Sequence, residues 1–328
     1  MRIIEDQKRS LPVRRIGTFA DYLSIARFDH STKHIFIVPG IILAYLLRGV
    51  HSNTIINIIL GFVTAICIAS ANYVINEWLD REFDKYHPKK SQRSAVQRQL
   101  NGRIVFIEWL TLILIGLWAA YLASMTMLLV AILFAMQGVV YNVKPLRAKD
   151  KPFLDVISES INNPLRLIIG WTMVDPMTLP PGSVILAYWF GGAFLMASKR
   201  FSEFREIVSS HGRDLLERYR ASFAGYSEAT LLSSSFIYGL LSSFFLAVFL
   251  IKYRVEYILL MPLIIGMFGY YLSISMRPGS SAQNPEKLFR ERGLLVIIAL
   301  LFSVFIFSTA IDMPILHKLT EQHYIHLQ

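Results

Sequence analysis

Apolar residues in this chain come in long blocks and do not alternate with polar ones. Windows at about 34–50, 55–77, 104–122, 125–142, 154–173, 183–200, 231–251, 256–275 and 293–312 are each mostly apolar. A helix needs roughly 20 such residues to cross a hydrocarbon core about 30 Å thick. The blocks therefore predict an all-α polytopic membrane protein, about nine transmembrane helices bundled around a central polar cavity. The fifth window is the least apolar, with Asp155, Glu159, Asn162, Asn163 and Arg166 inside it, and Pro164 predicts a kink there. Residues 1–33 are polar, with no apolar stretch of the kind a cleavable signal needs. The expected organisation is a cytoplasmic amino-terminal segment (1–33), a nine-helix domain (34–312) and a short tail (313–328).

Composition agrees. Hydrophobic residues make up 54% and charged ones 17%, with mean hydropathy +0.46, whereas globular chains hold about 45–50% and about 25%. Soluble, disordered, collagen-like and disulfide-framework readings are excluded, the last because Cys67 is the single cysteine. Net charge changes the picture more. The formal value is +10, and 28 of the 33 basic residues fall on one side of the expected topology. Basic loops face the cytoplasm, so the amino terminus is expected there, with the site facing the cytoplasm of a bacterial plasma membrane. The excess also suits contact with anionic bilayer lipid or a polyanionic substrate, and nothing in it calls for nucleic acid. The long segments 78–103 and 199–230 mix acids with bases, which orientation alone does not require.

Three polar clusters carry candidate chemistry. Asn72, Asn76, Asp80 and Asp84 recur every four residues, a single row on a helix. Like charges in such a row need compensation, and Mg²⁺ supplies it, binding one or two carboxylates and completing its shell with water and substrate phosphates. Lys85, Lys89, Lys90 and Arg93 follow directly, whereas Glu77 and Glu82 lie off the row and are expected at a solvated rim. The second stripe, Asp155, Glu159, Asn162 and Arg166, lies on one helix face and reads as substrate contact or as interhelical ties. The third is Lys199, Arg200, Glu203 and Glu206, where the two cations read as substrate groups or as membrane-edge anchors. Tyr219, Arg220 and Tyr226 read as loop packing or a lid.

The run from Asn76 through Asp80 to Asp84 resembles the first N-x-x-x-D-x-x-x-D motif of the UbiA superfamily of intramembrane transferases. The segment Tyr141–Lys149, with Arg147, is similar to the tyrosine-basic segment after that family's fourth helix. Prenyl-transferring members repeat an aspartate motif after helix six. Here that place reads Lys199-Arg200-Phe201-Ser202-Glu203, which resembles the decaprenyl-phosphate phosphoribosyltransferase branch. Arg27 to Lys33 matches that branch's R-P-x-x-W-x-K stretch in spacing, without its proline and tryptophan. His87-Pro88-x-Lys90-x-x-Arg93 is similar to its H-P-x-K-x-x-R-P, with Ser94 in place of the last proline. Asn163-Pro164-Leu165-Arg166 through Gly170, and Asn284-Pro285-Glu286 with Arg290, are similar to two further segments.

The resemblance implies Mg²⁺-dependent transfer of 5-phosphoribose from phosphoribosyl diphosphate to a polyprenyl phosphate. Asp80, Asp84 and Asn76 would hold the metal. Lys90, Arg93 and Arg147 would bind phosphates, Lys199 and Arg200 the acceptor or second phosphate, and Glu203 a ribose hydroxyl or the metal. Asn72, Arg27, Lys33, Tyr141, Lys149, Asp155, Glu159, Asn162 and Arg166 are the remaining expected substrate contacts. The rival readings are an aromatic or quinone-precursor prenyltransferase on the same fold, and a transporter or lipid-binding protein. Isoprenoid length and oligomeric state are not legible.

Overall fold

The computed structural model describes residues 15–49, 54–280, 282 and 291–319, leaving out the side chains of 29–33 and 319. The Lys33 side chain, Asn284-Pro285-Glu286 and Arg290 thus lie outside what is described. In chain order the helices are α1 (Phe19–Ala26), α2 (Val38–Arg48), α3 (Thr54–Asp84), α4 (Ser94–Gln97), α5 (Gly102–Ala123), α6 (Met125–Asn142), α7 (Leu154–Ser160) and α8 (Asn162–Val174). They continue with α9 (Gly182–His211), α10 (Arg213–Tyr219), α11 (Glu228–Tyr253), α12 (Met261–Ser275), α13 (Arg292–Ala310) and α14 (Pro314–Leu319). The extended pairing among the described residues is one two-residue parallel ladder, β1 (Arg15–Ile16) on β2 (Arg98–Gln99).

Each apolar window of the sequence falls on helical structure, and among the described residues six helical segments are long and apolar enough to cross a membrane. These are α3, α5, α6, α11, the segment Val255–Ser275 that ends in α12, and α13. Of the other three windows, the first gives the short α2 and the sixth the less apolar α9. The fifth is broken between α7 and α8 at Ile161. Pro164 explains the break: it has no N–H to donate, and its ring collides with the carbonyl four residues back, that of Ser160. The expected kink therefore falls at Ile161, three residues ahead of the proline, where φ −60° and ψ −20° stay in the helical region and the break is one residue long.

Packing places α3 centrally, against α5, α6 and α8, while α9 packs on α7, α8 and α11. The main apolar cluster joins Ile68, Ala69, Met127, Phe134, Ile169 and Met173 from α3, α6 and α8. α2 and α8 meet through glycine. A Cβ on Gly40 would lie 2.0 Å from the Leu167 carbonyl oxygen, and one on Gly170 would lie 2.1 Å from that of Ile37. Within a membrane such close backbone approach replaces the hydrophobic drive available in water. α13 is the least buried of these six segments, with Ser308 its one buried residue, as a lipid-facing helix would be.

α3 has 31 residues and α9 has 30, about 45 Å each at roughly 1.5 Å per residue. Both outrun a hydrocarbon core of about 30 Å. Both continue as helix where the sequence windows stop, and these extensions carry Asp80 and Asp84 on α3 and Glu203 on α9.

Candidate active site

The acidic row on α3 is held by cations from other elements. Arg147 donates to Asp80 Oδ1 at 2.9 Å, and Lys149 reaches the same oxygen at 2.5 Å. Arg93 donates to Asp84 Oδ2 at 2.5 Å. Asn76 donates Nδ2 to Asn142 Oδ1 at 2.6 Å, with a longer 3.4 Å contact to Asp80 Oδ2. Lys149 also donates to Asn142 Oδ1, at 2.8 Å. Asn142, buried at the end of α6, thus joins the α3 row to the 143–153 loop, and the sequence reading missed it. Its signal was its place in the Tyr141–Lys149 segment.

Asn72, the first member of the row, behaves differently. It donates to the Phe134 carbonyl oxygen at 3.1 Å, and a Cβ on Gly138 would stand 1.8 Å from its Oδ1. It is an interhelical tie between α3 and α6. Glu77 corrects the sequence expectation of a solvated rim: it is 3% exposed and takes two hydrogen bonds from Arg27, at 2.9 and 2.7 Å. Only Glu82 of that pair is exposed, where it meets Lys85. Arg27 owes its direction to the backbone, since a left-handed φ of 50° ends α1 and turns the side chain onto α3. Arg147, at φ 29°, is also positive. Such conformations cost about 1–3 kcal/mol each and persist where the surroundings enforce them.

A second network lies between α7, α9 and the 212–227 segment. Arg200, 4% exposed, donates to Asp155 at 3.4 Å, Glu203 at 3.2 Å and Glu159 at 3.0 Å. Arg220 reaches Asp155 at 3.3 Å and donates to Tyr141 Oη at 2.9 Å, while Tyr141 donates to Glu159 at 2.7 Å. Asp155, fully enclosed, also accepts from Tyr226 at 2.6 Å and Ser222 at 3.1 Å. Glu203 accepts from Tyr219 at 3.0 Å, with His87 Nε2 at 3.4 Å.

These contacts give each sequence-predicted residue its partners within the protein. Arg200 was expected to hold a phosphate, yet its guanidinium is taken up by three carboxylates. Asp155 was expected to touch substrate, yet its oxygens face protein donors. Glu203 was expected on a ribose hydroxyl or the metal, yet it accepts from Tyr219 and pairs with Arg200. Tyr219, Arg220 and Tyr226, undecided from the sequence, are members of this network. Lys199 is half-buried, next to Arg200 on α9.

The break at Ile161 divides the second stripe. Asp155 and Glu159 join Arg200, whereas Asn162 and Arg166 go with α8. Arg166, 6% exposed, donates to the Asn162 carbonyl oxygen at 3.3 Å and lies 5.1 Å from the Phe134 ring centre. Its Nε and Asn162 Oδ1 are buried without hydrogen-bond partners.

His87 and Lys90 connect the two networks. Backbone N–H groups of Lys89 and Lys90 donate to His87 Nδ1 at 3.1 and 3.2 Å, which leaves Nε2 as the protonated nitrogen facing Glu203. His87 packs on Tyr219 with ring centres 4.6 Å apart, and Lys90 sits over the same ring at 5.7 Å. Burial pushes the Lys90 ammonium down to about 8 against support from Glu203 and Asp84. Burial likewise pushes Lys149 down to about 8 against Asp80. Lys90, Arg93, Arg147 and Lys149 thereby surround two carboxylates with four cations.

No group of three or more His, Cys, Asp or Glu side chains forms a ready metal cage among the described residues. The donor set still fits Mg²⁺, which needs only one or two carboxylates beside phosphate oxygens. Asp80 and Asp84 lie one turn apart. Among the described residues, Asp84 Oδ1 takes no hydrogen bond, and Asp80 Oδ2 takes only the long one from Asn76.

Comparison with known proteins shows the family. The nodulation protein NoeC of Azorhizobium caulinodans is 28% identical over 162 residues, covering 48% of this chain and 50% of that protein. The decaprenyl-phosphate phosphoribosyltransferase of Corynebacterium glutamicum is 24% identical over 226 residues, covering 67% and 65%. Across the four curated relatives that match, the chain spans 39% to 65% of their own length. A UbiA homolog from Archaeoglobus fulgidus, solved bound to GPP and Mg²⁺, shares the fold with TM-score 0.65 at 19% identity, covering 89% of this chain and all of that one. The model described as the UbiA prenyltransferase family matches residues 37–298, and with four-fifths of its length inside that match the chain belongs to the UbiA prenyltransferase family.

Proposed function

We propose that the protein transfers 5-phosphoribose from phosphoribosyl diphosphate to a polyprenyl phosphate, at a site facing the cytoplasm of a bacterial plasma membrane. The observation that carries this reading is the asymmetry of the two networks. One acidic row, Asp80 and Asp84, has carboxylate oxygens open to a metal and four cations around it. The place of a second aspartate pair is occupied by Arg200, bound to Asp155, Glu159 and Glu203. A donor with three phosphates suits many cations and one metal-holding row. The relationship to the Corynebacterium phosphoribosyltransferase points the same way.

In this mechanism Asp80 and Asp84, with Asn76, hold Mg²⁺, which would neutralise charge on the departing diphosphate. Lys90, Arg93, Arg147 and Lys149 bind the diphosphate and the sugar 5-phosphate. A phosphate oxygen of the lipid attacks ribose C1 as the C1–O bond to diphosphate breaks and the electron pair leaves with it. The monoester is largely ionised near pH 7, its second pKa being about 6, so no general base is required. Lys199 directs the acceptor phosphate. Arg200 and Arg220 act as positioning residues, fixing Glu159, Glu203 and Tyr141. Catalysis then rests on orientation and electrostatics.

A second reading, prenyl transfer from a prenyl diphosphate to an aromatic or quinone-precursor acceptor, is favoured by the GPP- and Mg²⁺-bound structural neighbour. One assay separates the two. Purified protein with Mg²⁺ receives phosphoribosyl diphosphate plus polyprenyl phosphate in one reaction, and prenyl diphosphate plus an aromatic acid in another. Phosphoribosylated lipid in the first, abolished by Asp84→Ala with the protein still folded, is the expected result. Product only in the second reaction moves the function to prenyl transfer.

A further inference from the structure

The first described residues lie beside the 92–98 stretch, whose Arg93 reaches Asp84. Arg15 and Arg98 are direct partners in the β1–β2 ladder, as are Ile16 and Gln99. Like charges at facing ladder positions repel. Arg98 has one acidic neighbour, Asp21, at 3.7 Å, which is itself held by Thr18; Arg15 makes no ion pair among the described residues. The two arginines border a cavity of about 450 Å³ completed by Asp21, Gln92, Ser94 and Gln97.

Beside this polar cavity runs an uncovered apolar row. Ile16 is 83% exposed, Phe19 79% and Leu23 46%, and Phe19 and Leu23 are four apart on α1, hence on one face. The row sits where a span begins. Gly17 N–H donates to Gln99 at 3.0 Å and Asn101 N–H donates to Tyr22 Oη at 2.8 Å, which pins α1 beside the start of α5. α5 itself opens with exposed Ile104, Phe106 and Ile107. Two arginines over a polar cavity, next to apolar side chains at the head of a span, match the boundary between headgroups and acyl chains.

We infer that this flank binds an anionic phospholipid, its phosphodiester between Arg15 and Arg98 and an acyl chain along Ile16, Phe19 and Leu23. A soluble anion would relieve the arginines but leave the apolar row in water. A zwitterionic lipid would cover the row but bring its own cation to the arginine pair. An anionic lipid satisfies both. The bound lipid also steadies the loop that serves the candidate active site, because the same short stretch carries Arg93 to Asp84 and Ser94 to Ser24, whose hydroxyls lie 2.6 Å apart.

The test uses the full chain in neutral detergent micelles, titrated with phosphatidylglycerol or phosphatidylcholine and read by native mass spectrometry. Phosphatidylglycerol is expected to bind at least tenfold more tightly. R15Q/R98Q brings the two lipids within about twofold of each other, and F19S weakens both. R218Q/R277Q, with equal charge loss elsewhere, keeps the preference. An unchanged preference in R15Q/R98Q overturns the inference, as does displacement of the lipid by inorganic phosphate at equal concentration. Should R15Q/R98Q prove misfolded, R15K/R98K decides: it must retain the preference, and losing it overturns the site.

Discussion

Arg200 offers the sharpest structural test. Its guanidinium is 4% exposed and ties Asp155, Glu159 and Glu203 at 3.4, 3.0 and 3.2 Å. Arg200→Met keeps most of the side-chain volume but removes the charge shared by three buried carboxylates. Breaking a buried pair by deleting one partner costs about 3–5 kcal/mol, because a charge is left uncompensated. Arg220 still serves Asp155, and Tyr226, Tyr141 and Tyr219 still donate to the three acids, so the loss belongs toward the lower end, about 3 kcal/mol. At about 1.36 kcal/mol per power of ten, the unfolding equilibrium shifts by roughly two powers of ten. Reversible unfolding in mixed micelles, followed by circular dichroism as the SDS fraction rises, measures it. Adding Glu159→Gln to Arg200→Met should recover part of the loss, since in the double variant one stranded carboxylate is gone. If Arg200→Met unfolds within 1 kcal/mol of the parent, the three carboxylates do not depend on Arg200 and the network as described is wrong.

Further outcomes are expected at Lys90 and at the α2–α8 contact. Lys90 and Lys149, both held near 8 by burial, lose their charge as pH rises through that value, so KM for the phosphorylated donor should climb above pH 8, and Lys90→Arg should remove part of that climb. Over the same window, up to about 10.4, the unfolded chain binds the proton that folded Lys90 has released, so its contribution to stability rises with pH. Activity and stability should therefore move in opposite directions, and parallel changes would count against the two lysines as the titrating groups. At the α2–α8 contact Gly170→Ala should cost about 1–3 kcal/mol through the 2.1 Å clash with Ile37. Gly266→Ala, with nothing within 4 Å of its added Cβ, should lie within about 0.5 kcal/mol of the parent in the same unfolding assay.

What the sequence determined by itself is local. Apolar blocks and i, i+4 rows repeat within one helix, so the nine windows, the Asn76–Asp84 row and the basic excess were legible without any partner. A proline acts on its own helix turn, so the interruption near Pro164 was foreseeable in kind, though not in its position at Ile161. What only the tertiary structure decided is which charge meets which. Glu77 looks like a rim acid until α1 brings Arg27 onto it. Arg200 looks like a phosphate ligand until α7 presents Asp155 and Glu159. Asn142 looks inert until α6 sets it between Asn76 and Lys149. Burying a charge in low dielectric is costly unless a counter-charge arrives, and those counter-charges come from 41 to 67 positions away for Arg200 with Glu159 and for Asp80 with Arg147. No pattern within one helix encodes a separation of that kind, because it is the packing of α3, α6, α7 and α9 against one another that brings the partners together.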